Sequence, residues 1–112
     1  MDTRIIYECA KTYIGNVSWI FERKESEWIY VGARENILFL EKLINDFFDT
    51  DKSLYIALGR NDSFGVEKEN IVDKIIPLVS NNTDFTIWNL SFQKVIEYSK
   101  IDVCRMGIKK SV

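Results

Sequence analysis

Apolar residues recur every three to four positions in three stretches of this chain. They alternate, or run unbroken for a few residues, in six others. In residues 3–14, Ile6, Cys9, Ala10 and Tyr13 fall on one stripe, with Arg4, Glu8, Lys11 and Thr12 opposite. That is the period of a half-buried helix. Asp2 or Thr3 can cap its start and Gly15 can end it. Residues 35–48 give the clearest helical pattern. Ile37, Leu40, Leu43, Ile44, Phe47 and Phe48 form a broad apolar face centred on Ile44 and Phe47, opposite Glu35, Lys42, Asn45 and Asp46. Leu38 falls near the polar side of that wheel. A third helix is predicted over 67–79, with Ile71, Ile75, Leu78 and Val79 as its stripe. Pro77 should kink or shorten it, because proline lacks the amide proton an interior helical position donates.

The β-branched and aromatic stretches 17–22 and 28–32 flank the polar run Arg23-Lys24-Glu25-Ser26-Glu27 and read as a β-hairpin with a charged loop. Residues 54–58 form a short apolar strand, and 59–65 a polar turn leading toward the third helix. Strands at 85–88, 94–98 and 103–106 follow. The pattern of 94–98 is the weakest, since Phe92, Val95, Ile96 and Ser99 also suit a short helix. The order is then α-β-β-α-β-α-β-β-β. It defines one α+β domain over residues 1–112, with a mixed sheet of about five to six strands and about three helices packed on it. Helical crossovers between successive strands imply some parallel pairing at its centre.

Composition agrees with a folded chain. Of 112 residues, 46% are hydrophobic and 29% charged, which is globular rather than disordered usage. No run approaches the ~18 apolar residues a bilayer span needs. The start, Met1-Asp2-Thr3-Arg4, lacks the pattern of a secretory leader. A cytosolic location and no membrane partner are therefore expected. Cys9 and Cys104 lie among apolar residues and read as small buried hydrophobes, with a disulfide or reactive thiol as the competing reading. The last ten residues carry +3 and residues 1–102 carry −5, against a net charge of −2. A mildly acidic body argues against direct nucleic-acid binding, which needs a concentrated basic face.

The chain contains no histidine, the commonest general base and the commonest metal ligand. No Cys-x-x-Cys pair is present, so no metal site and no cofactor is expected. Ser63, in Asn61-Asp62-Ser63-Phe64-Gly65, does not sit in a Gly-x-Ser-x-Gly elbow. The Gly59–Gly65 turn lacks the Lys-Ser/Thr of a phosphate loop. A non-enzymatic role is the expectation, and no catalytic residue is assigned. Two features suit binding instead. Arg60, Asn61 and Ser63, placed after a strand and before a helix, could hold an anion against the helix's free amides. Equally, the same residues are what a tight turn and a helix cap require. The acids around the first hairpin and at the end of the second helix could dock a basic partner or form a solvated surface. Trp19, Trp28 and Trp88 are core residues or interface anchors.

The block Leu54-Tyr55-Ile56-Ala57-Leu58-Gly59-Arg60-Asn61-Asp62-Ser63-Phe64-Gly65, the helix after it, Phe85-Thr86-Ile87-Trp88-Asn89 and the closing strands to Arg105-Met106-Gly107 together resemble small bacterial immunity proteins. Such proteins accompany polymorphic toxins, including those of contact-dependent growth inhibition. The resemblance covers the second half of the chain. It implies binding to the toxic domain of a cognate toxin, often a nuclease, and no activity of its own. It carries over no individual binding residue. Charge and exposure nominate Glu25, Glu27, Asp46, Asp49 and Asp62 as the acids that would meet the toxin, with Trp28 as the aromatic anchor. The alternative is a small-ligand or anion site at Arg60, Asn61 and Ser63.

Overall fold

A computed structural model describes residues 1–20 and 26–110. Helix α1 (Thr3–Tyr13) forms where the first stripe places it, with the Asp2 carboxylate accepting from the Arg4 amide at 2.8 Å. That bond satisfies one of the donors a helix start leaves unpaired. Helix α2 (Leu38–Phe47) starts three residues later than the periodicity suggests. Residues 32–36 are spent in a turn at Gly32 (φ +57°), and the Asn36 side chain accepts from the Leu38 amide at 2.9 Å. Helix α3 (Ile71–Ser80) follows a short 3₁₀ turn, Lys68–Asn70. Pro77 lies in its last turns, and Asn82 closes the helix in the left-handed region at φ +56°.

The strands are β1 (Val17–Trp19), β2 (Ile29–Tyr30), β3 (Ser53–Ala57), β4 (Phe64–Glu67), β5 (Phe85–Asn89), β6 (Lys94–Ser99) and β7 (Val103–Lys109). They make one seven-stranded sheet in the order β1-β7-β6-β5-β3-β4, with β2 also on β7. The α+β class and the three helices are as the pattern predicts. Every pairing is antiparallel, so the expected mixture of parallel and antiparallel strands is corrected. The cause is β4. Its alternation of Phe64 and Val66 with Gly65 and Glu67 is only four residues long and hides between polar turns. This extra strand reverses the chain once more before α3, so β5 returns antiparallel to β3 instead of parallel to it.

The predicted hairpin is also corrected. β1 and β2 do not pair with each other but run in the same direction along one edge of β7. Val17 is opposite Lys109 and Trp19 opposite Gly107; the Ile20 amide donates to the Met106 carbonyl at 2.8 Å; then Ile29 faces Cys104 and Tyr30 faces Val103. The two segments are one interrupted edge strand. β-propensity identifies both pieces, but β7 is long enough to supply the hydrogen-bond partners for each in turn. A Cβ at Gly107 would collide with Val17 Cγ1 and lie 2.8 Å from Trp19 Cε3, so glycine is what lets β1 lie this close.

Alternation divides the core in two. On one face α2 and α3 set Leu40, Ile44, Phe48, Ile71, Ile75 and Val79 against Leu54, Ile56, Ile87, Ile96, Tyr98 and Cys104. On the other, α1 sets Ile6 and Ala10 against Ala57, Trp88, Phe92 and Val95. Phe48 is fully buried while Phe47 is only partly so, which moves the centre of α2's apolar face by one residue from the expected Phe47. Phe92 holds φ +57° in the β5–β6 turn, in contact range of Tyr13, Tyr55 and Trp88 with ring centroids 5.3–5.7 Å apart. A bulky residue in that region is strained, and its burial under α1 offsets the strain.

Candidate functional site

Among the described residues, those nominated are divided among three places. The first is the outer side of α2. At 3.6 residues per turn, Leu38, Phe39, Lys42, Asn45 and Asp46 share the arc opposite the buried Leu40 and Ile44. Leu38 is 62% exposed and Phe39 44%. Asp46 pairs with Lys42 at 2.7 Å across one helical turn, an exposed ion pair of small energetic weight. Asp49 is exposed just past the helix end. This surface runs from apolar at its start to mixed charge at its end, where Asp46 and Asp49 lie among Lys42, Lys68 and Lys94, the last two donating to the Phe48, Asp49 and Phe47 carbonyls.

The second is the half of the sheet's other face that lies toward β7. The Arg105 guanidinium carbon sits 3.7 Å from the ring centre of Trp19 and 4.5 Å from that of Trp28. Its Nε donates to Glu97 Oε1 at 2.6 Å and its Nη1 to Glu27 Oε1 at 3.0 Å. All three charged side chains are 21–27% exposed. Glu27 and Trp28 thus clasp an arginine of their own chain. They tie the residues just before β2 to β7, and so join the two pieces of the interrupted edge. Glu25 lies outside the described residues. Sequence reasoning missed Trp19, Glu97 and Arg105 as a group, because only the corrected strand pairing brings them together.

The third is the β3–β4 turn. Ser63 is buried, accepting from the Leu58 amide at 3.0 Å and donating to the Gly59 carbonyl at 2.9 Å. Its hydroxyl is used by the turn itself. Arg60, Asn61 and Asp62 are exposed. The turn leads into β4, not into α3, so the helix amides that an anion site would use are separated from it by a whole strand. The expected strand–loop–helix geometry for Arg60, Asn61 and Ser63 is corrected on that ground.

Glu27 and Trp28 lie on the α1 face of the sheet, Asp46 and Asp49 on α2 over the opposite face, and Asp62 on the turn beyond β3. The fold does not join them into one surface. Outside these places, the buried Asp102, at φ +70°, accepts from Tyr98 Oη at 2.8 Å and from the Ala33 amide at 2.9 Å. This carboxylate pins the loop entering α2 to the β6–β7 turn. Burial, and then the bond to Asp102, raises the Tyr98 hydroxyl well above the usual tyrosine range. Burial likewise pushes the Cys104 thiol up to about 12, which leaves it a protonated core group.

The class of protein defined here is an antiparallel α+β sheet with two helices on one face and one on the other. No family model, curated protein or solved structure matches the chain. Among the described residues no helix is long and apolar enough to cross a membrane.

Proposed function

We propose that this chain is a non-enzymatic immunity protein that binds and neutralises a cognate bacterial toxin domain, a nuclease, in the cytosol. The observation that carries the reading is the outer side of α2, where exposed Leu38 and Phe39 share one helix with Asp46 and, just past its end, Asp49. Apolar anchors beside charge are the makings of a specific interface. The anchors supply desolvated contact, and the acids steer a basic partner. A nuclease cleft is basic because it holds phosphate, so its cations would exchange with Lys42 for Asp46 and meet the exposed Asp49, while Leu38 and Phe39 cover the cleft. The resemblance of the second half of the chain to small immunity proteins supports the same role.

Co-expression tests it. The chain is produced together with each protein domain encoded by the adjacent genes, as wild type and as a Leu38→Asp, Phe39→Asp double variant. Wild type should protect cells and co-purify with the toxin. The double variant should fold, because both side chains are exposed, and should fail to protect. Protection by the double variant would move the interface off α2. Absence of both binding and protection by wild type would remove the immunity reading.

A further inference from the structure

Where α1 crosses the sheet, Ala10 on the helix stands over Ala57 on β3. Two methyl groups do not fill the space between helix and sheet, and a cleft of about 190 Å³ remains. Tyr7 and Lys11 border it from the helix, and Thr86, Glu97 and Asp84 from the sheet. The polar groups on its floor are held from behind. Thr86 Oγ1 accepts from Trp88 Nε1 at 2.8 Å, which leaves the hydroxyl hydrogen available to donate. Glu97 is fixed through Oε1 by Arg105, which leaves Oε2 without a hydrogen bond among the described residues. Arg105 is shared with Glu27, so Glu97 has only part of one guanidinium, and the exposed Asp84, whose Oδ1 accepts from the Lys100 amide at 2.7 Å, adds a second carboxylate to the rim. Lys11 carries the opposite sign at the helix edge. Its ammonium lies 6.0 Å from the centre of the Tyr7 ring, at the outer limit of a cation–π contact.

The geometry points to a binding site for a small zwitterion of the amino-acid class, with its ammonium toward Glu97 and Asp84 and its carboxylate toward Lys11. A simple anion meets two carboxylates here, and a simple cation meets the lysine. A molecule with both charges a few bonds apart matches both walls. The cleft is open to solvent, so it selects by charge and leaves the ligand's side chain free. This site lies across the sheet from α2 and does not depend on the interface proposed there.

The test is an amide chemical-shift titration of the purified chain with L-alanine, with propionate and ethylamine as probes that each keep one charge. L-Alanine should give saturable shifts at Lys11, Ala57, Thr86 and Glu97. Each control should bind at least about tenfold more weakly. Lys11→Met removes one charge from an exposed position and should reduce L-alanine to the level of ethylamine. Ala57→Leu, which fills the cleft, should abolish the shifts; where it lowers the melting temperature too far, Lys11→Met decides alone. No saturable shift up to about 50 mM, equal binding of either control, or unchanged binding by Lys11→Met would each overturn the proposal.

Discussion

The two faces of the sheet are covered differently, and their chemistry follows the covering. Under α2 and α3 the inward strand positions are apolar from edge to edge, from Leu54 and Ile56 through Ile87 and Ile96 to Cys104. Under α1 the apolar cluster is smaller, built on Val17, Ala57, Trp88, Phe92 and Val95. Two residues along β6 from Val95, and beside it on β7, the inward positions become Glu97 and Arg105, which are satisfied with Glu27 beneath two indoles. Two helices can seal a sheet of this width; one cannot. The less sealed part is where charge can be kept, because an ion pair left about a quarter exposed loses less hydration than a fully buried one.

The comparison breaks most readily on the sealed face. Phe48→Ala should destabilise the chain by about 3–5 kcal/mol in a denaturant melt, since Phe48 is fully buried between α2 and the sheet. Phe47→Ala should lose less than half as much. Equal losses would mean that α2 is rotated about its axis. On the other face, Gly107→Ala should destabilise by about 1–3 kcal/mol, by driving a methyl into Val17 and Trp19. The same change should shift tryptophan fluorescence, because Trp19 stacks on Arg105.

Arg105→Ala should lose about 2 kcal/mol and leave Glu27 and Glu97 facing each other unpaired. Arg105→Lys should recover less than half of that, since an ammonium cannot bridge two carboxylates and stack on two rings at once. A full recovery would mean that charge alone matters at this cluster. The last effect appears only at alkaline pH. Cys104 is raised from 9.0 to about 12, and Tyr98 is raised above its ordinary value. The folded chain keeps protons that the unfolded chain gives up, so both groups stabilise it at neutral pH. That stability is lost as pH climbs through the interval from 9.0 to about 12. Tyr98→Phe should flatten the upper part of the decline, measured as melting temperature against pH.

The helices were legible because their stripes are long. α1 and α2 keep a clean period over ten residues or more, and the seed of the α2 surface was visible as an apolar Leu38 on the polar side of the wheel. Pairing was not legible. The segments around Trp19 and Ile29 look like hairpin partners because each has strand composition and a charged run divides them. Nothing local shows that β7, some 80 residues on, takes both. β4 was hidden because four alternating residues between turns carry too little period to register. The Arg105 cluster depends on β7 taking both edge segments, so it was invisible residue by residue. Ser63 carried the opposite ambiguity: the residue types that build a tight turn are those that build an anion site, and here the turn uses the hydroxyl.

The most direct test of the proposed toxin-binding surface is the association rate with the proposed toxin domain as a function of ionic strength. Wild type is compared with an Asp46→Lys, Asp49→Lys variant and with Glu8→Lys, an exposed change on α1 across the sheet. The α2 variant should associate at least about tenfold more slowly at low salt, and the gap should close as salt screens the charges. Glu8→Lys should track wild type. Association that is indifferent to the α2 charges, or that depends as strongly on Glu8, would contradict the assignment of α2 as the toxin-binding face.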